Sequence, residues 1–345
     1  MIERFNIRQK NEEKEEALSP FAVKSRQSRG RQRPEEPCPM RTVFQRDRDR
    51  IIYSKAFRRL KHKTQAFIAP QGDHYVTRLT HTLQVSQIAR SISRALNLNE
   101  DLTEAIALAH DLGHTPFGHI GEDVLNEIYP GGFRHNEQSL RVVDLLENDG
   151  KGLNLTWEVR DGIVNHSKSG VHIMGKGWGK VNTLEGEVVK ISDAVAWINH
   201  DIDDAIRAGV ITENDLPSSA TVVLGNTHRE RINAMVGDIV EQSWSIAEGK
   251  TDKPGIKMSK KVAGAAEVMR KFLFDRVYYR NAAEEESANA REIVNLLYNY
   301  YIKHRDKLPP EYSSYSDEPE RRVVDYIAGM TDRYALNLAE ELQKS

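Results

Sequence analysis

The chain has 345 residues, with 49 Lys+Arg against 51 Asp+Glu, 12 His and a single Cys. That length allows one large domain or two of ordinary size, and one cysteine excludes a disulfide framework or a Cys-rich zinc module and fits a reducing compartment. A mean hydropathy of −0.60 and 29% charged residues, with no run near the roughly 18 apolar residues of a membrane helix, exclude a membrane partner from expectation.

The opening stretch MIERFNIRQKNEEKEE lacks the apolar centre of a secretory signal, so the expected compartment is cytoplasmic. Charge is unevenly spread. Residues 24–63 hold fourteen Lys/Arg and four acids, a net +10, while residues 1–23 carry −1 and residues 64–345 carry −11. A basic segment on an acidic body commonly meets phosphates, on a nucleotide, a single-stranded nucleic acid or another subunit. Residues 1–40, poor in apolar side chains and containing SRQSRGRQRPEEPCP, read as a flexible basic arm. Residues 41–63 read as ordered, because Ile51, Ile52, Phe57 and Leu60 give them an apolar side.

The rest of the chain has helical periodicity. Leu79, Leu83, Ile88, Ile92 and Leu96 predict a helix over 76–96, and Leu102, Ala105, Ile106, Leu108 and Ala109 predict one over 101–111 with Gly113 as its stop. Further helices are expected at 119–128, 136–148, 156–166 and 184–208. The glycines of 170–179 mark a loop or small hairpin, and only Ala220–Leu224 reads as a strand. Val262 to Val277 fit one long helix, Ile293 to Tyr301 another, and 320–341 one or two more. The expected fold class is all-α. The expected division is the arm at 1–40, a core at 41–210, and a C-terminal helical region at 211–345 packed on that core.

Seven of the twelve histidines fall between His62 and His135. At their centre stands His110-Asp111-Leu-Gly-His114-Thr-Pro-Phe-Gly-His119-Ile-Gly-Glu122. Charge at the end of an apolar helix needs a partner. Imidazole with carboxylate suits Mn, Fe, Zn, Co or Ni, whereas carboxylate alone favours Mg. His81 lies one helix earlier, and Asp193 sits inside the apolar run Val188–Ile198. Each residue alone is more often a satisfied core or surface side chain. Together, two His and two Asp make a cage that leaves positions for water and substrate.

The order His81 … His110-Asp111 … Asp193 resembles the signature of the HD-domain metal-dependent phosphohydrolases. The longer segments Arg46–Gln65, His110–Glu122, His200–Asp204 and Asp325–Tyr334 are similar to its deoxyguanosinetriphosphate triphosphohydrolase-like branch. The resemblance covers about residues 41–335 and implies a helical HD-domain bundle with additional C-terminal helices. It implies a divalent cation (Mn, Mg, Fe, Co, Ni or Zn) held by His81, His110, Asp111 and Asp193. The implied activity is hydrolysis of deoxynucleoside triphosphates to deoxynucleoside and tripolyphosphate, by a homo-oligomer often activated by a nucleotide. An HD-type phosphodiesterase, nucleotidase or nuclease, or a nucleic-acid-binding protein with a structural metal, are the competing readings.

Cleavage at the α-phosphorus needs a proton for the departing 5′ oxygen. His119 and Glu122, three apart at a helix start, share one side, and the resemblance implies His119 as that acid with Glu122 orienting it. It also places His114 and His135 around the phosphates, although His135 equally suits a plain first-turn position. Arg78 shares a helical face with His81 and can pair a phosphate oxygen. The resemblance implies Gln65 beside the sugar, where crowding selects deoxyribose, and Asp201, eight residues or about two helical turns after Asp193, lies on roughly the same side and can accept the 3′-hydroxyl. Trp197 stands where relatives commonly have tyrosine, which removes a phenolic hydroxyl and leaves stacking or core packing as its role. Tyr326, Asp332 and Arg333 suit a nucleotide pocket, a subunit interface or a solvated helix.

Overall fold

The computed structural model describes residues 5–65, 75–167, 173–175, 178–278, 285–314 and 318–344. Half of the segment expected as a glycine loop, 170–179, therefore lies outside the described residues. The main helices are α1 (Ile7–Lys14), α2 (Val43–Tyr53), α3 (Arg78–Ala95), α4 (Glu100–Ala109), α5 (His119–Ile128), α6 (His135–Arg141), α7 (Trp157–Asn165), α8 (Leu184–Arg207), α9 (Ser218–Leu224), α10 (His228–Ser243), α11 (Lys260–Leu273), α12 (Glu285–Lys303), α13 (Pro319–Ala328) and α14 (Asp332–Gln343). The fold is all-α, and the described residues form no sheet, only isolated bridges at Arg31–Thr156 and Thr64–Thr77. Among them, no helix is long and apolar enough to cross a membrane.

Local chemistry sets the ends of the helices that carry the site. Thr77 caps α3 through a hydrogen bond from Thr80 N, Asn99 caps α4 at Leu102 N, and Thr183 caps α8 at Gly186 N. Glu100 and Asp101 add first-turn negative charge to α4, and Glu185 and Glu187 occupy the corresponding turn of α8.

Three expectations need correction. Ala220–Leu224 is helical: Ala220 and Leu224, four apart, are buried while Val222 is exposed, a pattern too short to separate from alternation. The helix expected over 136–148 runs only to Arg141 and widens into a π turn at Val142–Leu146, and Asn148 and Asp149 adopt φ +54° and +53°. Likewise α11 passes into a π turn at Phe274–Tyr278, which carries Tyr278 to Asp201.

The helices bury two cores. The larger gathers α2, α3, α4, α7, α8 and the helices α9 to α11, through side chains such as Ile92, Ile106, Val159, Val189, Leu224 and Met269. The smaller joins α5 to α12, α13 and α14, through Val124, Leu125, Leu297, Val324 and Ala335. The expected boundary near 210 does not divide the cores. Residues 211–278 belong with the first, and α5, from mid-chain, belongs with the C-terminal helices.

Two side chains stitch the cores together beside the central motif. The Lys63 ammonium donates to the carbonyls of His114 and Ala328, the latter at 2.8 Å. Asp332 accepts from Thr64 N at 2.8 Å, from the Thr64 hydroxyl, and from Phe117 N at 2.9 Å. Asp332 is thus an organiser of the 114–118 turn, Tyr326 is buried with its hydroxyl 2.9 Å from that of Tyr334, and Arg333 is exposed.

Residues 5–40 are packed on the body rather than free. Ser19 donates to Ile246 O, Val23 N and Asn99 N donate to Glu185, and Arg31 pairs with fully buried Asp47. Much of the basic segment's charge is spent internally: Arg46 and Arg50 on Glu35, Arg48 on Asp101 and Glu104, Arg41 on Asp49. Most of these pairs close within residues 24–63, on Glu35, Asp47 and Asp49, while Arg48 reaches Asp101 and Glu104 of the acidic body.

Candidate functional site

The site lies where the two cores meet. His81 comes from the first turns of α3, His110 and Asp111 follow α4, and Asp193 sits on α8; His119 and Glu122 open α5, and His135 opens α6. Two glycines permit this crowding. A Cβ on Gly113 would fall 2.1 Å from Ser139 N, so α6 could not approach the motif. Gly118 has φ +59°, and a Cβ there would fall 3.1 Å from Arg78 Nη2.

All four expected metal ligands converge. His81 Nε2 is 3.1 Å from Asp193 Oδ1 and 3.9 Å from Asp111 Oδ2, while His110 Nε2 is 3.6 Å from Asp111 Oδ1 and 3.9 Å from Asp193 Oδ1. His81 Nδ1 is 2.8 Å from His200 Nε2, and the tautomer that donates there leaves a lone pair on Nε2 facing Asp193. In that tautomer two electron-rich atoms lie 3.1 Å apart, an arrangement that a shared cation resolves and that, without a cation, a hydrogen on Nε2 satisfies instead. His110 Nε2 is buried with no partner among the described residues, and its Nδ1 lies 2.7 Å from Ala107 O. These residues fit a divalent cation, with mixed nitrogen and oxygen donors suited to a first-row transition metal.

Electrostatics agree with that placement. Burial pushes the Asp111 and Asp193 carboxyls up, but the neighbouring histidines, and Arg78 beside Asp111, hold both well below the usual range. Burial lowers the pKa of His81, and burial followed by Arg78 lowers that of His114.

A second group flanks Asp111. His114 Nε2 and His135 Nε2 lie 3.8 and 4.0 Å from Asp111 Oδ1, and their rings stack at 4.2 Å. The Arg78 guanidinium gives one N–H to Asp111 Oδ2 at 2.8 Å, while Nε and Nη2 have no partner among the described residues. The sequence paired Glu122 with His119, and they do approach, at 3.3 Å, with His119 mostly exposed. Glu122 is bound more closely to His135, at 2.9 Å to both its backbone and ring nitrogens. Burial alone would lower the His135 pKa; the Glu122 charge and hydrogen bond overcome it and raise it.

The remaining expected contacts lie around this centre. Gln65 is buried, and its Oε1 has no partner among the described residues. Trp197 stacks on Tyr278 at 5.9 Å and packs on Phe274 at 6.0 Å. The Tyr278 hydroxyl donates to Asp201 Oδ2; Asp201 Oδ1 is 2.7 Å from His200 Nδ1 but out of line for a hydrogen bond. Sequence reasoning missed two histidines. His200 backs His81, and His166 lies 3.2 Å from His135 Nε2 and 3.9 Å from Asp111 Oδ1. The signal was present for His166: like His110, it directly follows an apolar helix.

Comparison with known proteins places these residues in a family. Residues 78–198 match the HD domain and residues 256–341 the phosphohydrolase-associated domain. A deoxyguanosinetriphosphate triphosphohydrolase-like protein from Caldanaerobacter subterraneus subsp. tengcongensis is 57% identical over 98% of this chain and 96% of its own. One from Desulfatibacillum aliphaticivorans is 50% identical over 98% of each. Among solved structures, a hypothetical protein from Aquifex aeolicus aligns at TM-score 0.45 and 18% identity, over 85% of this chain and 67% of that one. With the HD residues gathered at one buried centre and relatives matching nearly end to end, the chain belongs to the HD-domain hydrolases, in the deoxyguanosinetriphosphate triphosphohydrolase-like family.

Proposed function

We propose that the protein hydrolyses deoxynucleoside triphosphates at the α-phosphorus, releasing deoxynucleoside and tripolyphosphate. The observation that carries this reading is the position of Asp111. Its carboxylate faces the cation ligands His81 and His110, and also faces His114, His135 and the Arg78 guanidinium with its spare donors. A phosphate chain bound on that second group lies against the first.

His81, His110, Asp111 and Asp193 would hold a divalent cation, which polarises a phosphoryl oxygen and acidifies bound water. The chain's own groups do the rest. Arg78 directs Nε and Nη2 to phosphate oxygens. His135, kept protonated by Glu122, opposes the developing negative charge. His119, exposed at the start of α5 with Nδ1 turned to Glu122, keeps Nε2 for donating a proton to the leaving 5′ oxygen. Trp197, Phe274 and Tyr278 offer an aromatic wall to a nucleoside, Asp201 Oδ1 accepts the 3′-hydroxyl, and Gln65 abuts the sugar.

The internal pairing of the basic segment weighs against a primary nucleic-acid-binding role. Chromatography of products from a mixed dNTP panel with Mn²⁺ or Mg²⁺ tests the proposal. Tripolyphosphate is expected. Release of inorganic phosphate, or cleavage of diesters alone, would favour a nucleotidase or phosphodiesterase instead.

A further inference from the structure

Two histidines in the centre are presented by the same local device. His110 directly follows α4 and has Nδ1 2.7 Å from the carbonyl of Ala107, three residues back. His166 directly follows α7 and has Nδ1 2.7 Å from the carbonyl of Ile163, again three residues back. A carbonyl only accepts, so Nδ1 carries the hydrogen in both rings and Nε2 carries a lone pair. Both rings are buried and stand edge to face at 4.9 Å. Donor atoms of His110, His166 and Asp193 all lie within 4.8 Å of one another, and His166 Nε2 is 3.9 Å from Asp111 Oδ1.

We propose that His166 is a fifth protein ligand of the cation, alongside His81, His110, Asp111 and Asp193. The inference rests on the reading that those four hold a metal. Three imidazoles and two carboxylates move the preference away from Mg²⁺ and toward Mn, Fe, Co or Ni. They also leave fewer positions for water or substrate than two imidazoles and two carboxylates do. The His166 lone pair has a second claimant, the His135 Nε2 at 3.2 Å. Because Nε2 of His166 carries the lone pair, a hydrogen bond there has to come from an N–H on His135 Nε2, which together with Nδ1–H on Glu122 makes His135 the imidazolium. The lone pair serves one partner at a time, so a cation on His166 releases the His135 N–H toward a phosphate.

The test uses full-length protein stripped of metal and reloaded, read by the visible absorption of bound Co²⁺ and by Mn²⁺ titration followed by magnetic resonance of the free ion. His166→Ala is expected to weaken Mn²⁺ binding by about 100-fold, at or beyond the upper range for outer supporting groups, and to change the Co²⁺ bands. His110→Ala is expected to lose the metal. An unchanged Co²⁺ spectrum in His166→Ala, with the metal lost in His110→Ala, overturns the inference: His166 is then an acceptor for His135 and the cation reading stands. Metal retained with a wild-type spectrum in His110→Ala overturns the cation reading itself. If His166→Ala does not fold, His166→Gln, which fills the space and still accepts from His135, is read by the same spectrum.

Discussion

Glu122 grips His135 twice, accepting from its backbone N–H and from its ring Nδ1 at 2.9 Å each. Burial would discharge this imidazole, and the adjacent carboxylate reverses that, so His135 keeps its proton to higher pH than a free histidine. The pairing therefore stabilises the fold below the ordinary histidine pKa, and that stability is lost as pH rises through the raised value. If the imidazolium supports turnover, kcat/KM falls on the alkaline side. Glu122→Gln keeps an acceptor but removes the charge, so the alkaline limb is expected to move to lower pH. A limb that does not move would remove His135 from that role.

Metal retention and proton transfer are separable. His110→Ala is expected to lose bound metal, measured by elemental analysis after desalting, together with activity, because His110 Nε2 is aimed into the cage without another partner. His119→Ala is expected to keep the metal and lose roughly 10²–10⁴-fold in kcat, the usual contribution of a general acid. Equal turnover in His119→Ala and wild type would exclude His119 as the acid.

The N-terminal segment is held by a buried ion pair. Asp47 is fully buried and accepts from Arg31 and from Thr156 N and Oγ1, the last two at 2.8 and 2.7 Å. Arg31→Ala leaves that carboxylate without its cation, an expected loss of about 3–5 kcal/mol at pH 7, read by denaturant unfolding. A loss below about 1 kcal/mol, the scale of exposed pairs, would mean that residues 5–40 do not depend on this clamp.

Glu185 makes stability depend on pH in the opposite sense to most acids. Burial raises its pKa to about 7, even with Asn99 N and Val23 N donating to it. The folded state binds a proton that the unfolded state, near 4.5, has released, so this group lowers stability as pH rises from about 4.5 through 7. Glu185→Gln keeps the acceptor without the charge. It is expected to raise the Tm at pH 8, by up to about 3 kcal/mol in stability, and to leave it unchanged at pH 4. A gain of equal size at both pH values would point to packing rather than ionisation.

Much of the site was legible before folding. The periodicity of α3, α4 and α8 located their ends within two residues because capping and amphipathicity are local. The π turns at Val142–Leu146 and Phe274–Tyr278 were not legible, since they preserve the apolar pattern while changing the winding. His200 escaped because it is an ordinary helical histidine until α8 brings it to His81, and His166, although it directly follows a helix as His110 does, because only the packing of α7 brings it to His135.

The sequence by itself determined an all-helical protein and singled out His81, His110, Asp111 and Asp193 as the proposed ligands, because periodicity and donor chemistry are properties of short segments. Only the tertiary structure decided that Glu122 serves His135 more closely than His119, and that Asp332 organises the 114–118 turn. It also decided that the arginines of the basic segment largely face the protein's own acids. Those outcomes depend on distances between segments apart in the chain, and burial makes each such pairing count for more than it would in water.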